Sequence, residues 1–193
     1  SISIGGKPLH IKILDGPDTL GKEAAAHATN VINTSVQEKG KARIVLSTGA
    51  SQFEFFKHLT QTNIDWTKVE MFHLDEYVNL PESHPASFRK YLKERFVNVV
   101  GIEQAHFVNG EGNISEHIRE LTRQIRKEPI DLAIIGIGEN AHIAFNDPPA
   151  DFDTREAFIV VQLDDQCKNQ QVGEGWFSDT DSVPDEAITM TVH

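Results

Sequence analysis

At 193 residues, with 39% hydrophobic content and a net charge of −11, the chain can bury one sizeable core and reads as one domain over residues 1–193. That acidity, with no cluster of Lys and Arg, argues against nucleic acid as a partner, because phosphate backbones are held by grouped basic side chains. No run approaches the roughly 18 apolar residues of a membrane span, the N-terminus lacks a basic region followed by an apolar stretch, and Cys167 is alone, which excludes an intrachain disulfide. The expectation is a soluble, cytoplasmic protein without nucleic-acid or membrane partners.

Short β-rich runs alternate with amphipathic stretches, the pattern of parallel strands joined by helical crossovers. Residues 10–14 read as an opening strand. Asp18 is placed to cap a helix with Leu20, Ala24, Ala28 and Val31 on its apolar face, ending before Gly40. Residues 43–46 form a second strand, followed by the small-residue turn 47–51 and a helix carrying Phe53, Phe56 and Leu59. Residues 69–74 are a third strand. After a polar loop, Pro85 sits in the first turn of a helix whose apolar face is Phe88, Leu92 and Phe96. Ile114, Ile118, Leu121 and Ile125 repeat at helical spacing, and the apolar run 130–135 reads as a central buried strand. Residues 157–161 and 187–192 are later strands, and 164–184 is left as a loop or lid.

In open parallel sheets ligands bind beyond the carboxyl ends of strands, which draws together the residues after Leu46, Leu74 and Ile135. In the first turn Thr48, Gly49, Ala50 and Ser51 allow close backbone approach and offer hydroxyls and a helix N-terminus to an anion; alone, this is also the ordinary composition of a βα turn. The second carries Asp75 and Glu76. A carboxylate partly desolvated at a strand end has its pKa raised toward neutrality and becomes a base for a proton next to a carbonyl, although acids there also serve as solvated turn residues or as structural partners of a cation. The third contains Gly136, Gly138, Asn140, His142 and Asp147: glycines for a tight turn, a histidine able to move a proton, and two candidate orienters of its ring. Its glycine spacing does not match a dinucleotide-binding loop. Cys167 reads as a buried neutral thiol.

Taken in order, LSTGAS, MFHLDEYVNLPESHPASF and IDLAIIGIGENAHIAFNDPP resemble the glucosamine-6-phosphate deaminase/isomerase family, with the 6-phosphogluconolactonases related at fold level. The resemblance covers roughly residues 10–192. It implies a doubly wound α/β fold, Rossmann-like, with a mostly parallel sheet and helices on both faces. It also implies conversion of glucosamine 6-phosphate or galactosamine 6-phosphate to the ketose 6-phosphate plus ammonia, with no cofactor and no metal. By the same resemblance Asp75 is the general base and then acid between C2 and C1, His142 assists ring opening, and Asp147 helps orient it. Thr48, Gly49, Ala50 and Ser51 would hold the phosphate, and Gly136 and Gly138 would line the sugar, with Glu76 placed beside the substrate.

The sequence departs from the family pattern at several positions. Asn140 stands where some members have aspartate, Ala50 where a glycine is often found, and Gln171 near where many place a phosphate-binding arginine. Family members continue past Thr191, Val192 and His193, so further residues are expected to complete the sheet and the site. Two other readings stand beside the deaminase: a 6-phosphogluconolactonase-like hydrolase in which His142 activates water, and a non-catalytic sugar-phosphate-binding domain. Self-association is left open.

Overall fold

The computed structural model describes residues 2–4, 6–147 and 149–192; Pro148, which closes the third motif, and His193 lie outside them. The chain enters as a hairpin, β1 (Ile2–Ile4) pairing antiparallel with β2 (Lys7–Leu9). Residues 10–14, expected as the first strand, belong to no ladder, and Ile11 and Ile13 are 62% and 93% exposed. A strand exists only where a neighbour takes up its N–H and C=O groups, and no sheet edge among the described residues takes these.

Helix α1 (Pro17–Lys39) starts from Gly16 rather than from Asp18, with Pro17 in its first turn, and ends at Gly40, whose φ of 78° is the left-handed cap. Its buried face is Gly21, Ala25, Ala28, Ile32 and Ser35, rotated from the face expected, so that Leu20 is 51% exposed. The smaller side chains face inward because α1 lies directly on α2 (Phe53–Leu59): a Cβ on Gly21 would fall 2.5 Å from the Glu54 carbonyl carbon. In the chain β3 (Ala42–Leu46), buried throughout, separates the two helices.

After β4 (Val69–His73) the chain passes through Leu74 into a short strand, β5 (Asp75–Tyr77), where the sequence led us to expect a loop. The next helix is capped by Ser87, not opened by Pro85: α3 (Phe88–Leu92) runs through a π-helical turn, Lys93–Val97, into α4 (Asn98–Val100). An unanticipated strand, β6 (Gln104–His106), follows. Helix α5 (Ile114–Ile125) falls where its periodicity placed it. Strand β7 (Leu132–Ile134), expected to be central, is short and stands at the edge of its sheet. The remaining strands and α-helix are β8 (Phe158–Gln162), α6 (Asp165–Gly173) and β9 (Glu186–Met190).

Four parallel strands in the order β6-β4-β3-β7 form the main sheet, and β5-β9-β8 form a second, antiparallel one. On one face of the main sheet Ile44, Leu46, Val69 and Met71 pack against Ile32, Phe56, Leu59 and Phe96; on the other, Val45 and Phe72 pack against Ile125 and Ile130. Helices on both faces explain why these strands read as continuous apolar runs. Phe56 is 1% exposed, and its truncation to alanine would cost about 3–5 kcal/mol. The one charged residue in β3, Arg43, is neutralised by Glu70 (Nε to Oε2 2.7 Å) and donates to the carbonyls of Gln124 (2.6 Å) and Ile125 (3.0 Å) at the end of α5. The two sheets meet at Leu74, whose carbonyl accepts from Met190 N–H at 2.9 Å. This crossing leaves Asp75 at the carboxyl end of the parallel sheet.

Candidate active site

Three turns leave the carboxyl ends of β3, β4 and β7, and the first is tied to the third: Ser47 N–H donates to the Ile134 carbonyl (3.1 Å) and Gly136 N–H to Ser47 Oγ (3.2 Å). Gly49 has φ 117°, a backbone conformation that a side chain would strain, and its carbonyl accepts from the Tyr91 hydroxyl at 2.6 Å. A cavity of about 380 Å³ opens between the turns. Thr48, Gly49, Ala50 and Ser51 line it, together with Asp75, Gly136, Gly138 and His142.

The second turn divides its two acids, because successive side chains on a strand point to opposite sides. Asp75 faces the cavity at 6% exposure, and burial, reinforced by the charge of Glu76, pushes its carboxyl up to about 8. Glu76, expected beside the substrate, is fully buried and does not line the cavity. Its oxygens accept from Tyr77 N–H (3.0 Å), Ser87 Oγ (2.9 Å), Phe88 N–H (3.2 Å), Arg89 N–H (3.0 Å) and Arg89 Nε (3.0 Å), so it anchors the start of α3. Arg89 in turn reaches Asn109 and Glu111.

The third turn is a small hairpin in which Gly138 N–H donates to the His142 carbonyl (2.9 Å) and Ile137 bridges Ile143. Ala141 and Ala144, on either side of His142, take φ of 64° and 54°, left-handed conformations held by the surrounding structure. His142 Nδ1 faces Asp147 Oδ1 at 3.1 Å and the side-chain oxygen of Asn140, while Asn140 Nδ2 donates to Asp147 Oδ1 at 3.1 Å. Two acceptors at Nδ1 place the proton there and leave Nε2 as the free ring nitrogen. Neither Asn140 nor Asp147 lines the cavity; both stand behind the histidine.

Sequence reasoning missed much of the support. Thr189 on β9 accepts from Phe145 N–H at 3.2 Å, and Asn146 Nδ2 donates to the Met190 carbonyl at 2.9 Å, so the last strand holds the histidine loop. Residues 164–184 are a loop only in their second half: α6 fills the first, capped by Asp164, which accepts from Cys167 N–H at 2.8 Å. Gln170, Gln171, Glu174 and Trp176 form a wall of the cavity, and Gln171 Oε1 accepts from the Tyr77 hydroxyl at 2.7 Å. Asp164 is a cap legible in the sequence, but the buried positions Cys167 and Gln171 include an amide and give no apolar stripe. Phe177 and His84, off the cavity, stack at 5.3 Å. The Cys167 thiol is buried and pushed up to about 12, chiefly by burial and then by the charge of Asp147.

Among the described residues, Asp18, Glu54 and His58 are grouped closely enough to hold a metal ion, but they are outside the cavity and Lys57 Nζ already lies 3.2 Å from Glu54. No described helix is long and apolar enough to cross a membrane.

The open α/β sheet thus gathers a hydroxyl-rich turn, a buried carboxyl and an oriented histidine around one cavity. Residues 15–172 match the family model described as glucosamine-6-phosphate isomerases/6-phosphogluconolactonase, and the chain belongs to that family. It is 33% identical over 177 residues to a glucosamine-6-phosphate deaminase of a Thermoanaerobacter species, covering 88% of this chain and 68% of that one. Against a Streptococcus pneumoniae glucosamine-6-phosphate deaminase the identity is 30% over 154 residues, covering 79% and 64%. The chain thus spans about two thirds of the length of these relatives. A monomeric glucosamine-6-phosphate deaminase superposes with a TM-score of 0.83 at 26% identity, over 93% of this chain and 74% of that one. A 6-phosphogluconolactonase of Shewanella baltica shares the fold, with a TM-score of 0.74 at 18% identity, over 92% and 72%.

Proposed function

We propose that the chain is an amino-sugar phosphate deaminase/isomerase that converts glucosamine 6-phosphate or galactosamine 6-phosphate, with water, to the ketose 6-phosphate and ammonia. The observation that carries this reading is a buried carboxyl, Asp75, sharing one cavity with an oriented His142 and a small-residue turn.

In this reading His142 Nε2 moves a proton between the ring oxygen and the C1 hydroxyl as the pyranose opens, and Asp147 and Asn140 hold the ring from behind. Ionised Asp75 takes the proton from C2 and returns it to C1. The C2 amino group gives up a proton as the C1 oxygen takes one up, which leaves a C2 imine that water hydrolyses to the ketone with release of ammonia. Thr48, Gly49, Ala50 and Ser51 hold the phosphate, which keeps C1 and C2 beside Asp75; Gly136 and Gly138 let the sugar approach. Such remote binding contributes by positioning.

Incubation with each amino-sugar phosphate and measurement of ammonia tests the proposal. No release from either sugar, or unchanged release in Asp75→Asn, sinks it. Acid production from 6-phosphogluconolactone without ammonia from the amino sugars would assign the lactonase reaction in its place.

A further inference from the structure

The turn after β3 is gripped at one peptide. Among the described residues no acceptor takes up the N–H of Thr48, Gly49, Ala50 or Ser51, so these donors are open to solvent or to a ligand. The Gly49 carbonyl, in contrast, is held twice, by Gln52 N–H at 3.1 Å and by the Tyr91 hydroxyl at 2.6 Å. Tyr91 is not among the residues lining the cavity, so it grips the turn from behind. The C=O and N–H of a trans peptide point in opposite directions, and the bond that draws the Gly49 carbonyl toward Tyr91 therefore turns the Ala50 N–H away from it. A hydroxyl donating to the carbonyl also polarises the peptide and strengthens its N–H as a donor. Gly49, at φ 117°, has the backbone freedom that makes such a hold matter.

Tyr91 is itself fixed. It is buried, its ring stacks on Phe53 with centroids 5.7 Å apart, and Phe56 meets it edge-on at 6.0 Å. The Arg95 guanidinium lies 5.1 Å from its ring centre. Trp176, which does line the cavity, meets it edge-on at 6.4 Å. These contacts belong to the ring and would survive in a phenylalanine. The hydroxyl adds the bond to Gly49, and burial pushes its pKa well up, so it keeps its proton and remains a donor.

We infer that Tyr91 is a positioning residue for phosphate binding, its hydroxyl holding the Gly49–Ala50 peptide so that the amides of the turn are set for an anion before the ligand arrives. The inference rests on the reading above that this turn takes the phosphate of a hexose phosphate. Tyr91 acts through the turn, by lowering the ordering cost that binding must meet.

The test titrates inorganic phosphate calorimetrically into the wild type, Tyr91→Phe and Tyr91→Leu, and follows turnover of glucosamine 6-phosphate and galactosamine 6-phosphate by each. Tyr91→Phe keeps the ring contacts and leaves the Gly49 carbonyl its bond from Gln52, so its urea midpoint is expected to stay near the wild type. Its affinity for phosphate is expected to fall about threefold to tenfold, the worth of one hydrogen bond. In turnover KM rises by the same factor and kcat stays. Phosphate affinity in Tyr91→Phe equal to the wild type, with only Tyr91→Leu impaired, would make the ring and not the hydroxyl the working part and overturns the inference. So does a loss that falls on kcat with KM unchanged, a urea midpoint in Tyr91→Phe as low as in Tyr91→Leu, or a wild type that binds no phosphate.

The outcomes for the two readings are separate. Ammonia release with phosphate binding indifferent to the hydroxyl keeps the deaminase and removes the role of Tyr91; hydroxyl-dependent phosphate binding without ammonia release does the reverse.

Discussion

Gly138 lies against the ring of His142: a Cβ on residue 138 would fall 2.1 Å from Cε1 and 2.5 Å from each ring nitrogen. The absent side chain sets the ring's position from one side, as Asn140 and Asp147 do from the other. Gly138→Ala must therefore displace the imidazole. We expect kcat to fall by about tenfold to hundredfold, the usual consequence of an ångström-scale shift of a reacting group. Ammonia-release kinetics would show it, and a urea midpoint close to wild type would separate it from misfolding. Unimpaired turnover would mean that the ring's position is not critical.

Asp75 gives a pH dependence with a defined sign. If Asp75 is the base of the proposed reaction, a carboxyl pushed up to about 8 is mostly protonated below that pH, so kcat/KM should rise with pH up to about 8. Stability runs the other way. Between pH 3.8 and about 8 the native state keeps a proton that the unfolded state has released, so the contribution of this group is present at low pH and is lost as pH rises. Asp75→Asn is thus expected to abolish activity and to stabilise the fold at pH 7 by on the order of 2–4 kcal/mol. Urea denaturation of both forms checks the second half.

His73 predicts an acid weakness. It is fully buried on β4, with Phe88 and Phe107 edge-on to it, and neither ring nitrogen has a hydrogen-bond partner. Burial, and then the charge of Arg89, pushes its pKa from 6.5 to about 3. Below pH 6.5 the unfolded chain takes up a proton that the native state refuses, so stability falls as pH drops toward 3. The loss attributable to this residue by pH 5 is on the order of 2 kcal/mol. His73→Leu should move the acid-unfolding midpoint to lower pH, and an unmoved midpoint would count against the argument.

The Glu76–Arg89 pair is structural. Arg89→Ala leaves a fully buried carboxylate without its cation, and about 3–5 kcal/mol of stability should be lost. A change in the urea midpoint smaller than about 1 kcal/mol would show that the other four donors to Glu76 suffice.

The helix α5, the strands β3 and β4, and the turns beyond β3 and β7 could be read from the chain because their signals are local: apolar period, β-branched runs, and glycine and histidine at defined offsets. What failed depended on partners far along the chain. Residues 10–14 have the pattern of a strand but find no ladder, and Leu20 is turned outward because α2 presses on Gly21. Asp75 and Glu76 are neighbours of like chemistry, and nothing local separates the one that faces the cavity from the one that ties down α3. Strand alternation and the donors gathered around position 76 make that division.

The sequence by itself determined which groups are available for chemistry and that they follow strands. Only the tertiary structure decided that they share a cavity, that α6 walls it with Glu174, and that β9 holds the histidine loop. Side-chain identity is a property of one residue, whereas convergence and burial, and with them the pKa of Asp75, belong to the packing of segments distant in sequence.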